Sequence, residues 1–181
     1  MRHILKLNRS LQEPIAHIPH NYQFITFDPE IHSEAWLDLN NLIFAKHPDQ
    51  GNWAMADLEN RMREPWFDPK GFFLCLHNDK IVGFCWTKIH GGHSHKHSDN
   101  EPMHDHDPIG EIYIMGVNPK FQGRGIGRQV TIAGLRHLRY QGIFSAMLYV
   151  DASNSGAISL YTSLGFNEWG RDVLYRYNLQ P

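Results

Sequence analysis

Residues 122–127 read Gln-Gly-Arg-Gly-Ile-Gly, and this short stretch decides how the whole chain is interpreted. It follows the apolar run Glu111–Val117, which is typical of a strand, and it opens a helical pattern over Ile126–Tyr140. Glycine lets a backbone turn tightly and approach a ligand without a Cβ atom in the way. A helix that begins at such a turn adds free N–H groups and the positive end of its dipole. The sequence therefore predicts a backbone cradle for phosphate groups.

Two common phosphate-binding motifs do not fit these glycines. A P-loop would continue with Lys-Ser or Lys-Thr, and a dinucleotide-binding fold would place Asp or Glu about 20 residues further on. The spacing Gln-x-x-Gly-x-Gly instead resembles the pyrophosphate-binding loop of the GCN5-related N-acetyltransferase (GNAT) superfamily, whose members bind acetyl-coenzyme A.

A second run, towards the C-terminus, strengthens this resemblance. The pattern Asn154-x-x-Ala157-x-x-Leu160-Tyr161-x-x-x-Gly165-Phe166 is similar to the second signature of the same superfamily. Alternating strand and helix patterns by themselves indicate an α/β or α+β sandwich. The resemblance implies the GNAT fold: a mixed, mostly antiparallel central sheet with splayed central strands and helices on both faces.

The resemblance narrows to one branch of the superfamily, the mycothiol synthases, in their C-terminal catalytic half. It covers roughly residues 20–178 and is carried by several runs, which are residues 47–51, 66–69, 83–90, 110–119 and 148–151. That family acetylates the cysteinyl amine of a cysteinyl-glucosaminyl-inositol and has two tandem acetyltransferase domains. This chain has the length of one, so it is one half, an isolated domain or a single-domain relative. We expect residues 1–20 to be an N-terminal strand and linker, and 21–181 to be the acetyltransferase domain.

The resemblance implies how the acetyl-CoA cosubstrate is held. Backbone groups of Met115, Gly116 and Val117 would pair with the pantetheine arm, and the Val117 N–H could polarise the thioester carbonyl. The pyrophosphate would be held by the loop and first helical turn, which are Gln122, Gly123, Arg124, Gly125, Ile126, Gly127 and Arg128. Asn154 would contact the cosubstrate, although a helix cap alone explains it. The alternative is a solvent-facing glycine turn with surface arginines.

Two residues carry the chemistry that the resemblance implies. Glu111 would be the general base for the acceptor amine, directly or through water, and Tyr161 the general acid for the departing thiolate. The alternatives are a strand-end carboxylate in water and a core tyrosine. Asp49, Lys88 and Tyr149 match positions that bind the sugar–inositol substrate, and Asp49 stands where the family commonly has Glu. Each of these alone could be a surface group.

Residues 90–108 interrupt the pattern with a polar segment that the resemblance does not include. It carries six histidines, which are His90, His93, His95, His97, His104 and His106. Imidazoles suit Zn²⁺ or Ni²⁺, but no cysteine lies nearby and the spacing fits no structural zinc pattern. We predict a mobile insertion with weak, adventitious metal affinity, and no required metal.

Composition excludes several other classes. The net charge of −2 gives no electrostatic case for nucleic acid, and no apolar run approaches the 18 or so residues of a membrane span. The start resembles no signal peptide, and two cysteines fit a reducing cytosol, so we expect a cytoplasmic protein without membrane contact. The expected partner is a small-molecule amine, and a homodimer is plausible. The alternatives are acetylation of another small amine or a protein N-terminus, and a non-catalytic CoA- or metal-binding domain.

Local patterns predict the remaining elements. Strands are expected at His3–Asn8 and Tyr22–Phe27, and helices at Ile31–Phe44 and from an Asn52 cap to about Arg63. The other expected features are a hairpin turning at Asn78-Asp79, a strand at Ala146–Val150, an Asn154-capped helix ending at Gly165, and a final antiparallel pair formed by Phe166–Trp169 and Val173–Leu179.

Overall fold

The computed structural model describes residues 2–19, 22–47, 50–91 and 107–174, and most predicted strands and helices are present in it. Within these ranges the order of elements is β1 (Arg2–Ser10), β2 (Gln23–Thr26), α1 (Pro29–Ile43), α2 (Met55–Met62), β3 (Phe72–His77), β4 (Lys80–His90), β5 (Ile109–Val117), α3 (Ile126–Tyr140), β6 (Ser145–Asp151), α4 (Ser155–Ser163) and β7 (Asn167–Leu174).

One mixed sheet of seven strands organises the described part of the chain, in the order β2-β3-β4-β5-β6-β1-β7. Neighbouring strands in the sheet are antiparallel, except for β5 and β6, which are parallel. The predicted fold class is therefore confirmed. The chain's first strand lies inside the sheet, where Leu5 of β1 faces Val150 of β6 on one side and Arg171 of β7 on the other. The predicted boundary near residue 20 stays a prediction.

Helices cover both faces of the sheet, and each face has its own apolar core. On one face, α3 and α4 pack against the inward side chains of β1 and β6. Gly134 permits this approach, because a Cβ atom there would lie 2.8 Å from Sγ of Cys85. On the other face, α1 and α2 cover an aromatic cluster in which the rings of Phe72 and Trp86 stack at 4.6 Å. The two cores hold the sheet rigidly between helices.

The β3–β4 hairpin forms where its turn residues predict. Asn78 and Asp79 have φ angles of 49° and 58°. Positive φ at both central residues is what a two-residue hairpin turn requires, and Asn and Asp tolerate it. Cys75 and Cys85 on these strands are buried, as expected, and burial raises the pKa of the Cys75 thiol to about 11.

Two local predictions are wrong. Asn52 does not cap α2; it has a φ of 63°, and the helix follows Ala54, whose N–H donates to Oδ2 of Asp57 at 2.8 Å. Asn suits a left-handed position as well as a cap, and the tertiary loop decides between them. The predicted break after Trp169 is also absent from the described residues, since β7 runs continuously along β1. The pairing has an irregularity between Gly170 and Glu168, where β7 has one residue more than β1. Such a bulge lets the strand continue without a turn.

Candidate active site

The parallel strands β5 and β6 separate soon after they meet. Along their described lengths they pair in register only at Gly110 with Ala146 and at Glu111 with Met147. Beyond this point a cleft of about 1380 Å³ opens between β5, the glycine loop, β6 and α4. Backbone groups of Ile112–Val117 on the β6 side therefore face the cleft, where an extended ligand can pair with them as a strand would.

A β-bulge in β5 accompanies this separation. Trp86 faces Ile114 and Thr87 faces Ile112, so Tyr113 is the extra residue. A bulge bends its strand and redirects the side chains that follow. After it, Gly116 faces α1, and a Cβ atom there would lie 2.9 Å from Cδ1 of Ile43. The stretch Met115–Val117 lines the cleft, as the sequence predicts.

The glycine loop turns the chain into α3 at the edge of this cleft. Gly123 and Gly125 have φ angles of 75° and 77°, a left-handed conformation that other residues rarely adopt. Gly125 is the N-cap of α3, and it supplies no side-chain cap. A helical bond runs from the Gln129 N–H to the Gly125 carbonyl at 3.1 Å, so the N–H groups of residues 126–128 precede it. These N–H groups and the dipole of a 15-residue helix meet at one point, which suits an anion.

The two arginines of this region have different surroundings. Nη1 of Arg128 donates to Oγ of Ser163 at 2.8 Å and so ties α3 to α4. The guanidinium of Arg124 lies 5.0 Å from the ring centre of Phe121, and its side chain is exposed. Arg124 therefore keeps its charge at the surface of the loop.

Helix α4 brings a tyrosine to the cleft from the α3 side of the sheet. Oδ1 of Asn154 accepts the N–H of Ala157 at 3.1 Å, which confirms the predicted cap, and Gly165 ends the helix with a φ of 85°. Tyr161 lines the cleft and is only 6% exposed. Burial raises the pKa of its phenol, and the neighbouring Cys85 acts in the same direction. Tyr161 is therefore a protonated hydroxyl at neutral pH, able to donate.

Glu111 lies on the opposite face of the sheet, and among the described residues it is not one that lines this cleft. The preceding residue, Gly110, points towards α3, where a Cβ atom would meet Leu138 at 2.7 Å. Side chains alternate along a strand, so Glu111 points towards the side of α1 and α2. Its carboxylate is buried, and Oε2 lies 2.6 Å from Nε2 of His90. The acid and base that the sequence predicts thus belong to opposite faces of β5.

The three predicted substrate residues have different outcomes. Lys88 is the register partner of Glu111, and its Nζ lies 4.6 Å from the ring centre of Trp66 and 5.6 Å from that of Tyr113. Tyr149 is half exposed and lines the cleft. Asp49 lies outside the described residues. The structure therefore brings Lys88 to the Glu111 face and Tyr149 to the cleft itself.

A polar network at the rim of the cleft was not predicted. Nε of Arg2 lies 2.5 Å from Oδ2 of Asp151, and Nη2 of Arg2 lies 2.7 Å from Nε2 of His47. Asp151 also accepts the hydroxyl and the N–H of Ser153; these bonds and Arg2 lower its pKa to about 2. No sequence pattern could reveal the network, because Arg2, His47 and Asp151 lie far apart in the chain.

The histidine-rich segment contributes one residue to the described structure near the site. His90 is the last residue of β4 rather than part of an insertion, and residues 92–106 lie outside the described ranges. Among the described residues, no cluster of three or more His, Cys, Asp or Glu side chains is arranged to hold a metal ion. Within the same ranges, no helix combines the length and apolar character that crossing a membrane requires.

The fold and the site together define the class of this protein. Its mixed sheet of seven strands opens between two parallel strands, and a glycine-rich turn leads into a helix at the opening. A model of the Acetyltransferase (GNAT) family matches residues 30–166, and the chain belongs to that family.

Two curated relatives have the same name. The chain is 49% identical to the mycothiol acetyltransferase of Acidothermus cellulolyticus over 176 residues, which are 96% of this chain and 54% of the relative. It is 45% identical to the mycothiol acetyltransferase of Thermobispora bispora over 97% of this chain and 57% of the relative. The chain therefore spans about half the length of the curated relatives it matches.

Solved structures agree on the fold. A GCN5-related N-acetyltransferase from Sphaerobacter thermophilus superposes with a TM-score of 0.68 at 22% identity, covering 94% of this chain and 49% of the other. An aminoglycoside N-acetyltransferase in complex with CoA gives a TM-score of 0.62 at 21% identity, covering 90% of this chain and 99% of the other. At these identities the likeness concerns the fold alone.

Proposed function

We propose that this chain is an acetyl-CoA-dependent N-acetyltransferase that acts on the primary amine of a small molecule. The observation that carries the proposal is the coincidence of three features at one cleft: separated parallel strands, a glycine turn at the start of α3, and a buried tyrosine. The acceptor we propose is the cysteinyl amine of a mycothiol precursor. Support for it comes from the identities of 49% and 45% to mycothiol acetyltransferases.

The described residues fit acetyl-CoA. The backbone of Met115–Val117 would pair with the pantetheine arm, whose amides need strand-like partners. The N–H groups of residues 122–128 would hold the pyrophosphate at the helix N-terminus, with charge added by Arg124. Asn154 already caps α4, so any contact it makes with the cosubstrate is additional to that role.

The catalytic roles follow from the two faces of β5. Glu111 would accept the proton of the acceptor ammonium on one side, and Tyr161 would donate its hydroxyl proton to the departing thiolate from the other. Transfer would be direct, because both cysteines are buried and the desolvation that raises their pKa values keeps them as unreactive thiols. Lys88, Tyr149 and Asp49 would contact the hydroxyl groups of the acceptor.

The experiment that tests the proposal measures thiol release from acetyl-CoA with the cysteinyl-glucosaminyl-inositol as acceptor. We expect turnover by the wild-type chain, and none with the same compound lacking its cysteinyl group. In Tyr161→Phe we expect kcat to fall about 100-fold while acetyl-CoA affinity stays nearly unchanged, since only proton donation is lost. Tyr140→Phe, at an exposed position on α3, is the matched control and should keep wild-type kcat.

The outcomes separate the possible errors. Equal losses of kcat and acetyl-CoA affinity in Tyr161→Phe would make Tyr161 a packing residue. Turnover of other amines but not of the cysteinyl compound would replace the proposed acceptor. Acetyl-CoA binding without turnover of any amine would contradict the enzymatic assignment.

A further inference from the structure

The carboxylate of Glu111 is paired with His90, a residue to which the proposed function assigns no role. We propose that His90 is a positioning residue for Glu111: it orients the carboxylate towards the acceptor and carries the abstracted proton to solvent. This inference rests on the proposed acetyl transfer. It assigns a function to the imidazole that ends β4.

The pairing is close and is built into the sheet. Nε2 of His90 lies 2.6 Å from Oε2 of Glu111. In the antiparallel register His90 faces Ile109 and Lys88 faces Glu111, so His90 and Glu111 are diagonal neighbours on one face of two central strands. Diagonal pairs lie within reach of long side chains, and two hydrogen-bonded strands hold their spacing. The contact therefore depends on the sheet and not on a loop.

The two side chains differ in access to water. The side chain of Glu111 is 8% exposed, whereas that of His90 is 34% exposed. A general base that is buried this deeply cannot exchange its proton freely with bulk water between turnovers. The imidazole spans that gap, with Nε2 on the carboxylate and a third of its surface in solvent.

The hydrogen bond also distinguishes the two carboxylate oxygens of Glu111. In this proposal Nε2–H of His90 donates to Oε2, which leaves Oε1 to take the proton of the acceptor ammonium. Holding a carboxylate in one orientation lowers the entropy that is lost when the ammonium approaches. A pair at 2.6 Å is short enough for a charge-assisted bond, which gives that orientation strength.

The proton balance of the reaction requires such an outlet. An ammonium and a thioester become an amide, a thiol and one proton, as the N–C bond forms and the C–S bond breaks. The first ammonium proton goes to Glu111, and the second N–H proton of the attacking nitrogen restores the Tyr161 hydroxyl after it has protonated the thiolate. Nε2–H of His90 stays on Oε2, so the proton on Oε1 of Glu111 passes through a solvent molecule to the unprotonated Nδ1 of His90, and Nδ1 then releases it to bulk water. The ring keeps the tautomer with its proton on Nε2, and Glu111 is again an ionised carboxylate.

Other charged groups face this pair, and they belong to three elements. Lys88 lies on β4 and Tyr113 on β5, both on the side of α1 and α2. From α2 and the turn that follows it, Arg61 and Glu64 lie close enough to influence the pKa of Tyr113, as Glu111 does. None of these side chains bonds to Oε2 among the hydrogen bonds of the described residues, so His90 is the group that orients this carboxylate.

The test uses the full chain with acetyl-CoA and the cysteinyl-glucosaminyl-inositol, in the presence of a chelator. In His90→Ala we expect kcat to fall about tenfold or more, with acetyl-CoA affinity unchanged, since the loss concerns proton transfer. Added imidazole should raise the rate of His90→Ala in proportion to its concentration, because it can replace the missing base. His90→Gln keeps a hydrogen-bond donor for Oε2 but cannot relay; it should retain a lower acceptor KM than His90→Ala, with a kcat that rises with pH.

Controls distinguish this inference from the function on which it rests. Imidazole should not rescue Glu111→Gln, where the primary base is gone, and should not accelerate the wild-type chain. Wild-type kcat in His90→Ala, or a loss that neither imidazole nor higher pH recovers in a variant with wild-type Tm, would overturn the role of His90 while leaving the acetyltransferase proposal intact. A wild-type chain that acetylates no amine would overturn both.

Discussion

At the scale of single residues, Gly125 shows how one backbone conformation shapes the candidate site. Its φ of 77° turns the chain so that α3 begins directly at the cleft. A Cβ atom there would meet only Nε2 of Gln129, at 3.8 Å among the described residues, so space is not the constraint. The constraint is the left-handed conformation, in which an L side chain costs about 1–2 kcal/mol.

Gly125→Ala is therefore expected to affect stability and binding in separable ways. The free energy of unfolding should fall by about 1–2 kcal/mol from backbone strain. The dissociation constant for acetyl-CoA should rise about tenfold or more, as a loss of about 1.4 kcal/mol of phosphate contacts would give. Denaturant unfolding and calorimetry measure the two effects.

Gly142 provides the matched control. It has a φ of 78°, and a Cβ atom there would meet no other described atom within 4 Å. It follows the end of α3, at the opposite end of that helix from the glycine turn. Gly142→Ala should lose similar stability but keep wild-type affinity. Equal loss of affinity in both variants would mean that Gly125 acts only through global stability.

At the scale of elements, β1 connects two parts of the sheet that do not touch each other directly. It is hydrogen-bonded to β6 on one side and to β7 on the other. Its buried side chains, Leu5 and Leu7, join the core beneath α3 and α4. The Arg2 end of the strand meets Asp151 and His47 at the rim of the cleft. An N-terminal strand thus supports both the core and the site.

Leu7→Ala should consequently lower the free energy of unfolding by about 3 kcal/mol, the usual cost of emptying a buried leucine site. Val173→Ala on β7, where the side chain is 37% exposed, is the control and should cost less than about 1 kcal/mol. Urea unfolding compares the two. A negligible effect of Leu7→Ala would show that residues 1–20 are an appendage, in agreement with the boundary predicted from sequence.

At the scale of the whole molecule, the two faces of the sheet divide the work. The α3–α4 face carries the glycine turn and Tyr161, and the α1–α2 face carries Glu111, His90 and Lys88. In the proposed reaction, the cosubstrate and the acceptor would therefore approach the gap between β5 and β6 from opposite sides. On the α3 side, the side chain of His137 is largely buried against the turn at Asp68. Its Nε2 lies 3.3 Å from Oδ2 of Asp68.

Burial of His137 makes stability depend on pH in a defined direction. Desolvation lowers its pKa below the ordinary 6.5, although Asp68 acts in the opposite sense. A lowered folded-state pKa means a contribution that is complete above 6.5 and is lost as pH falls through the folded value. The Tm should drop between about pH 7.5 and pH 5, and the drop should be smaller in His137→Gln. An unchanged drop in His137→Gln would contradict this assignment.

Local patterns were sufficient for much of the fold. The limits of α3, the Asn154 cap, the Asn78-Asp79 hairpin and the glycine turn all depend on residues within a few positions of one another. Such features follow from backbone preferences that the chain carries wherever it lies. Asn52 failed as a cap because two local preferences of asparagine compete, and only the surrounding loop selects one.

What the sequence determined by itself was therefore local: a glycine turn into a helix, a capped helix with its tyrosine, and a carboxylate on a strand. The tertiary structure alone decided that β1 enters the sheet, that Arg2 meets Asp151 149 positions away, and that His90 meets Glu111 across the histidine-rich segment. The physical reason is that these contacts join residues far apart in the chain, and only the register of strands and the packing of helices bring them within hydrogen-bonding distance.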